Sequence, residues 1–267
     1  MRRTSGFALL FMLTFPLSGS GQWLSHPTGN IPRTADGRPD LSAPAPKAPD
    51  GKPDISGLWM PDPGTGGTQG IGETVRSPYF IDITAGMKPE DVPFMPAAAA
   101  EYRRRVARNG IDDPGAHCQP TGVPGLDTYP LPFKIVQLPT MVIVLYEHNA
   151  DFRQIFMDGR DAPRDPEPTW MGYSTGKWET DRLVVHTTGF NDRSWLDRSG
   201  HPHSESMRLT ERFRRLDFGR MEIEITIDDP QTYTKPIVFT QPLRLLPDTE
   251  ILEFFCSDNE KFFKGVR

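Results

Sequence analysis

From residue 206 to 214 and again from 221 to 228 the chain alternates apolar and polar side chains, and this alternation narrows its possible folds more than any other feature. Met221, Ile223, Ile225 and Ile227 share one parity, and Glu222, Glu224, Thr226 and Asp228 the other. Successive side chains of a strand point to opposite faces, so the pattern is that of a sheet dry on one side and wet on the other. The run before it repeats the rule. Met207, Leu209, Glu211 and Phe213 share the parity of His201, His203 and Glu205, while Arg208, Thr210, Arg212 and Arg214 take the opposite one. With the apolar parity inward, Glu211 faces the core, and His203 and Glu205 stand where the strand enters it. An inward carboxylate needs a partner or a purpose, because an unpaired buried charge is neutralised by a raised pKa or costs several kcal/mol.

A second local signal is a hairpin. Gly176 to Glu179 and Arg182 to Thr188 are strand-favouring runs joined by Thr180-Asp181, a register that sets Glu179 opposite Arg182 and Trp178 opposite Leu183. Further short strands are expected at Asp54–Trp59, Phe133–Leu138, Met141–Glu147, Phe152–Met157, Trp170–Ser174, Ile237–Leu245 and Ile251–Cys256. Pro96 to Asn109 is the one clear helix, with Pro in its first turn, arginines toward its end and Gly110 as its stop. Hairpin-length connections between sequential strands predict an all-β, mainly antiparallel fold: a barrel-like curved sheet over residues 55–267 that includes the helix. A barrel of roughly eight strands has room for one small ligand.

The N-terminal region departs from this pattern. Arg2 and Arg3 precede an apolar run from Phe7 to Leu17 and a small-residue zone at residues 18–21, the layout of a cleaved secretory signal over residues 1–21. Residues 22–54 form a Pro-rich arm containing an imperfect duplication, Thr34-Ala-Asp-Gly-Arg-Pro-Asp-Leu-Ser and Ala48-Pro-Asp-Gly-Lys-Pro-Asp-Ile-Ser, with Asp-Gly turns. A Gly- and Thr-rich loop at residues 61–72 lacks the glycine spacing and flanking elements of a phosphate cradle. Loss of the signal removes two arginines and no acid, taking the formal charge from −5 to −7, which argues against nucleic acid and anionic membrane as partners. An exported chain with two cysteines, Cys118 and Cys256, is expected to bridge them; two separate buried thiols are the alternative.

Several motifs bear on chemistry. Gly172-Tyr-Ser174-Thr-Gly176 matches the nucleophile elbow G-x-S-x-G, but the strand–turn–helix context is missing, so the match is taken as accidental. His201-Pro-His203 with Glu205 offers alternate metal-ligand spacing, with His186, His148 or Glu211 as further ligands, yet no H-E-x-x-H or C-x-x-C spacing supports it, and no metal or cofactor is expected. The acid–base candidates are His203 with Glu205 or Glu211, and Arg160 to hold an anionic group. The competing bland role is a buried network closing the barrel mouth, with Arg212 or Arg160 as counter-charge. Trp170, Tyr173, Trp178, His186 and Trp195 are the expected ligand-binding residues, since aromatics beside inward polar groups make a pocket for an apolar or aromatic ligand.

The motif series Pro53-Asp-Ile-Ser-Gly-Leu-Trp59, Asp158-Gly-Arg160, Pro168-Thr-Trp170-x-Gly, Gly176-x-Trp178-Glu, Gly189-Phe-Asn-Asp, Trp195-Leu-Asp197, His203-Ser-Glu205 and Glu211-Arg212 resembles a large set of secreted bacterial β-proteins. That resemblance implies a secreted or periplasmic protein and no particular reaction. Gly57-x-Trp59 ahead of a β-meander is similar to the opening of a lipocalin-type barrel. Together these features point first to a small-molecule-binding barrel, and second to a cofactor-independent lyase, isomerase or hydrolase.

Overall fold

A computed structural model describes residues 27–62 and 81–257; the expected signal over residues 1–21 and residues 63–72 of the Gly/Thr-rich loop lie outside them. Nine strands, β1 (Gly57–Pro61), β2 (Phe133–Gln137), β3 (Met141–Tyr146), β4 (Phe152–Phe156), β5 (Tyr173–Glu179), β6 (Arg182–Thr188), β7 (Arg208–Arg215), β8 (Arg220–Asp228) and β9 (Ile237–Leu245), follow one another around a closed barrel. The expected all-β barrel is therefore the fold.

Strand directions cannot alternate all the way around a ring with an odd number of members. One neighbouring pair must be parallel, and here it is β4 and β5, registered only at Ile155–Ser174 and Phe156–Thr175. Every other joint is antiparallel, and the ladder of β7 against β8 runs from Arg208–Asp228 to Arg215–Met221. One parallel joint among nine agrees with the expected mainly antiparallel barrel. The Trp170–Ser174 and Lys177–Glu179 runs form one strand beginning at Tyr173. The final expected strand, Ile251–Cys256, is reduced to an isolated bridge between Phe254 and His148, because β9 already closes the ring onto β1. The 180–181 hairpin keeps the predicted register, Trp178 opposite Leu183 and Glu179 opposite Arg182, with Thr180 at φ +56°.

The barrel interior is packed with side chains. Phe133, Ile135, Val144, Ile155, Leu183, Val185, Leu209, Phe213, Ile223 and Ile225 are all buried in one cluster. At one end, Trp59 donates its indole N–H to Ile55 O at 3.0 Å, and the Arg215 guanidinium lies 4.9 Å from the Trp59 ring. The N-terminal arm covers this end through Phe218 N–H to Ala43 O and Gly219 N–H to Leu41 O. The sequence duplication is also a structural one. Thr34 and Ala48 each donate to the carbonyl four residues on, at 2.8 Å, and Gly37 and Gly51 each turn back to them at φ near +80°.

The other end is plugged by residues 113–132 and 189–207. The first segment contains a single-turn helix, α2 (Gly125–Thr128), buried along its whole length. The expected long helix is α1 (Pro96–Ala107), two residues shorter than predicted, followed by Asn109 and Gly110 at positive φ. Cys118 and Cys256 form a disulfide that ties the plug to the C-terminal segment. Closing a loop of 138 residues this way contributes roughly 4 to 5 kcal/mol on chain-entropy grounds. Among the described residues no helix is long and apolar enough to cross a membrane.

Candidate functional site

With only two backbone pairs at the β4–β5 joint, side chains hold it together. Arg153 alternates inward with Ile155 on β4, and its guanidinium is fully buried. It donates Nε–H to Ser174 Oγ on β5 at 3.1 Å, Nη2–H to Thr187 Oγ1 on β6 at 2.9 Å, and both terminal nitrogens to the Glu211 carboxylate on β7. One arginine thus spans four strands. Glu211 faces inward as its parity predicts, and its counter-charge is Arg153 rather than Arg212 or Arg160. Arg212 instead pairs with Glu224, and Arg160 with Asp158, both at the surface.

A second carboxyl enters the same network. Asp127 of α2 accepts the Tyr146 hydroxyl at 2.7 Å and lies 3.6 Å from Arg153. Burial, with the adjacent Glu211 charge, pushes the Asp127 pKa up to about 8. A single guanidinium therefore balances one ionised carboxylate, and Asp127 carries a proton at neutral pH. Burial works against the Arg153 charge, but the Glu211 carboxylate outweighs it and raises the pKa.

On the outer side of this joint the barrel opens into a cleft of about 470 Å³. Arg153 and Ser174 form its floor; Phe152, Phe156, Trp170 and Tyr173 form its walls. Phe152 is 58% exposed. Phe156 and Tyr173 stack across the joint at 5.2 Å, and the Arg160 guanidinium lies 4.1 Å over the Phe156 ring. The structure thus brings Trp170, Tyr173 and Arg160 together at one place. Ser174, the would-be nucleophile of G-x-S-x-G, lies near the start of β5, which runs on through Gly176 as strand, and bonds Thr187 Oγ1 at 2.9 Å, so no elbow forms.

The remaining expected site residues lie elsewhere. His186 points outward from β6, exposed, and bonds Thr210 Oγ1 at 3.1 Å. Trp195 is buried in the plug beneath Arg105, at 4.8 Å. Trp178 borders a separate hollow beside the second arm turn. Glu205 is exposed in the turn before β7, because the strand starts at Arg208 and the inward parity does not extend back to it. His203 is buried and its Nε2 meets Ser194 Oγ at 2.8 Å; burial lowers its pKa.

His201, two residues away, behaves in the opposite sense. Burial lowers its pKa, but the Asp197 carboxylate at 2.8 Å outweighs burial, and the net shift is upward. Asp197 is held in turn by the backbone N–H groups of Ile83, Ser199 and His201. The imidazole clusters with Tyr102, at 4.6 Å, and Phe94, at 5.7 Å, with Nε2 3.3 Å from Thr84 Oγ1 at the edge of a second cleft of about 690 Å³. Among the described residues, Asp82, Asp197 and His201 form the one group with potential metal-ligating atoms within 4.8 Å. Asp197 is already saturated by N–H donors, so the geometry is that of an oriented imidazole.

No protein-family model, curated protein or solved structure matches this chain. The residues that sequence reasoning missed are Arg153 and Asp127. For Arg153 a signal existed: in Phe152-Arg-Gln-Ile-Phe156 it shares the parity of Ile155. Asp127 sits in a one-turn helix within a Pro- and Gly-rich segment, where no periodicity marks an inward side chain.

Proposed function

We propose that this chain is a secreted or periplasmic small-molecule-binding β-barrel protein, and that its ligand, an apolar or aromatic compound, sits in the cleft outside the β4–β5 joint. One observation carries the reading: four aromatic side chains converge where the ring of strands is least tied by backbone, over a floor whose charges are already balanced. Solvent-facing aromatics of this kind are a recurring mark of a ligand surface. The packed interior favours a ligand at the seam over one inside, which differs from the pocket expected of a lipocalin-type cup. The Cys118–Cys256 bridge supports an oxidising compartment, in keeping with the signal-like N-terminus and the resemblance to secreted β-proteins.

The test is a melting-temperature screen of monoaromatic compounds. A ligand that binds the folded state stabilises it by about 2.7 kcal/mol at a hundred times its Kd, and Trp170→Leu is expected to remove the shift. A flat screen contradicts the reading.

A second reading, a cofactor-independent lyase, isomerase or hydrolase, is favoured by one feature, the Asp197-oriented His201 at the edge of the second cleft. This moves the acid–base role from His203 to His201. Turnover that survives His201→Gln would dispose of it.

A further inference from the structure

We infer that the β4–β5 cleft selects organic cations, a protonated amine or quaternary ammonium on an apolar or aromatic body. This rests on the binding reading above and specifies its ligand class. Aromatic faces attract cations through the ring quadrupole, and Phe156 and Tyr173 stack on each other here.

Arg160, beside the cleft, lies over Phe156 while its charge is answered by Asp158, so one ring of the wall already carries a cation on its face. The charged groups lining the cleft also favour one sign. Arg153 on the floor is matched by Glu211 and contributes little net positive field. Asp151, at the other end of the lining, is not matched in the same way. Its Oδ2 and the His148 Nδ1 are 3.7 Å apart, and among the described residues neither atom makes a hydrogen bond. That oxygen is buried against His148, so it is the other carboxylate oxygen of Asp151, in a side chain 20% exposed, that is left to face an ammonium beside the aromatic walls, on a chain of net negative charge.

The experiment compares three probes that share a benzyl group: benzyltrimethylammonium, benzyl alcohol and phenylacetate, titrated into the purified protein at neutral pH with tryptophan fluorescence and calorimetry as readouts. The cation is expected to bind about tenfold more tightly than the alcohol, which corresponds to about 1.4 kcal/mol, with phenylacetate weakest. Asp151→Asn is expected to abolish the preference while leaving benzyl alcohol unchanged. Arg160→Met, a substitution at an exposed residue, is expected to tighten the cation about threefold by vacating the Phe156 face. If benzyl alcohol binds as tightly as the cation, or if Arg160→Met leaves the cation's affinity unchanged or weaker, the charge selectivity is refuted while the binding reading stands. If none of the three probes binds, the binding reading fails with it.

Discussion

The β7–β8 wall and the β4–β5 seam solve the same problem, joining neighbouring strands of one barrel, by different means. In the wall, backbone pairing runs the full length of both strands, and alternating isoleucine and glutamate divide inside from outside. At the seam, parallel pairing covers two residue pairs, and a buried arginine reaches across four strands to hold the joint. The difference follows from arithmetic: nine strands cannot alternate around a ring, so strain of direction is concentrated in one place. That place became the polar centre inside and the aromatic opening outside.

If the comparison is right, the seam breaks at its hub. Glu211→Gln removes the carboxylate bonded to Arg153 and leaves only Asp127, 3.6 Å away, to answer the buried charge, and is expected to destabilise the protein by about 3 kcal/mol in denaturant melts. A loss below 1 kcal/mol would mean that the backbone holds the seam unaided. Next in size is Gly176→Ala. An added Cβ would lie 2.7 Å from Met157 Sδ and 3.0 Å from Ile155 Cγ2, so those two side chains have to shift where β4 meets β5, at about 1 kcal/mol. An alanine tolerated without loss would show that the two strands have slack.

Asp127→Asn gives the smallest effect at acidic pH and sharpens the comparison through its pH dependence. The folded pKa of about 8 stands above the ordinary value of 3.8, so between the two the folded state binds the extra proton. The stabilising contribution is fully present below about 4 and is lost as pH rises through about 8. Wild type minus Asp127→Asn should therefore decline with pH across that window. A difference that rises with pH would place the proton elsewhere.

The wall was legible because period-two alternation survives along whole strands, and the same parity carried Glu211 correctly to the inside. Glu205 failed for a local reason: parity holds only while the backbone stays extended, and residues 204–207 turn before β7 begins. The parallel joint had no signal within either strand, since it is imposed by closure of the ring and not by the residues that form it. Trp170 and Tyr173 were legible as aromatics next to a polar strand, whereas their partners Phe152 and Phe156 resemble the outer residues of any strand. Asp127 reaches the network only because the disulfide-pinned plug carries α2 into the mouth, a long-range placement that local pattern does not encode.

Hydrogen exchange followed by mass spectrometry compares the seam with the wall most directly. Peptides covering residues 152–156 and 170–176 are predicted to exchange through local opening, orders of magnitude faster than those covering residues 208–228, which wait for global unfolding. Equal protection of seam and wall would contradict a joint held by side chains.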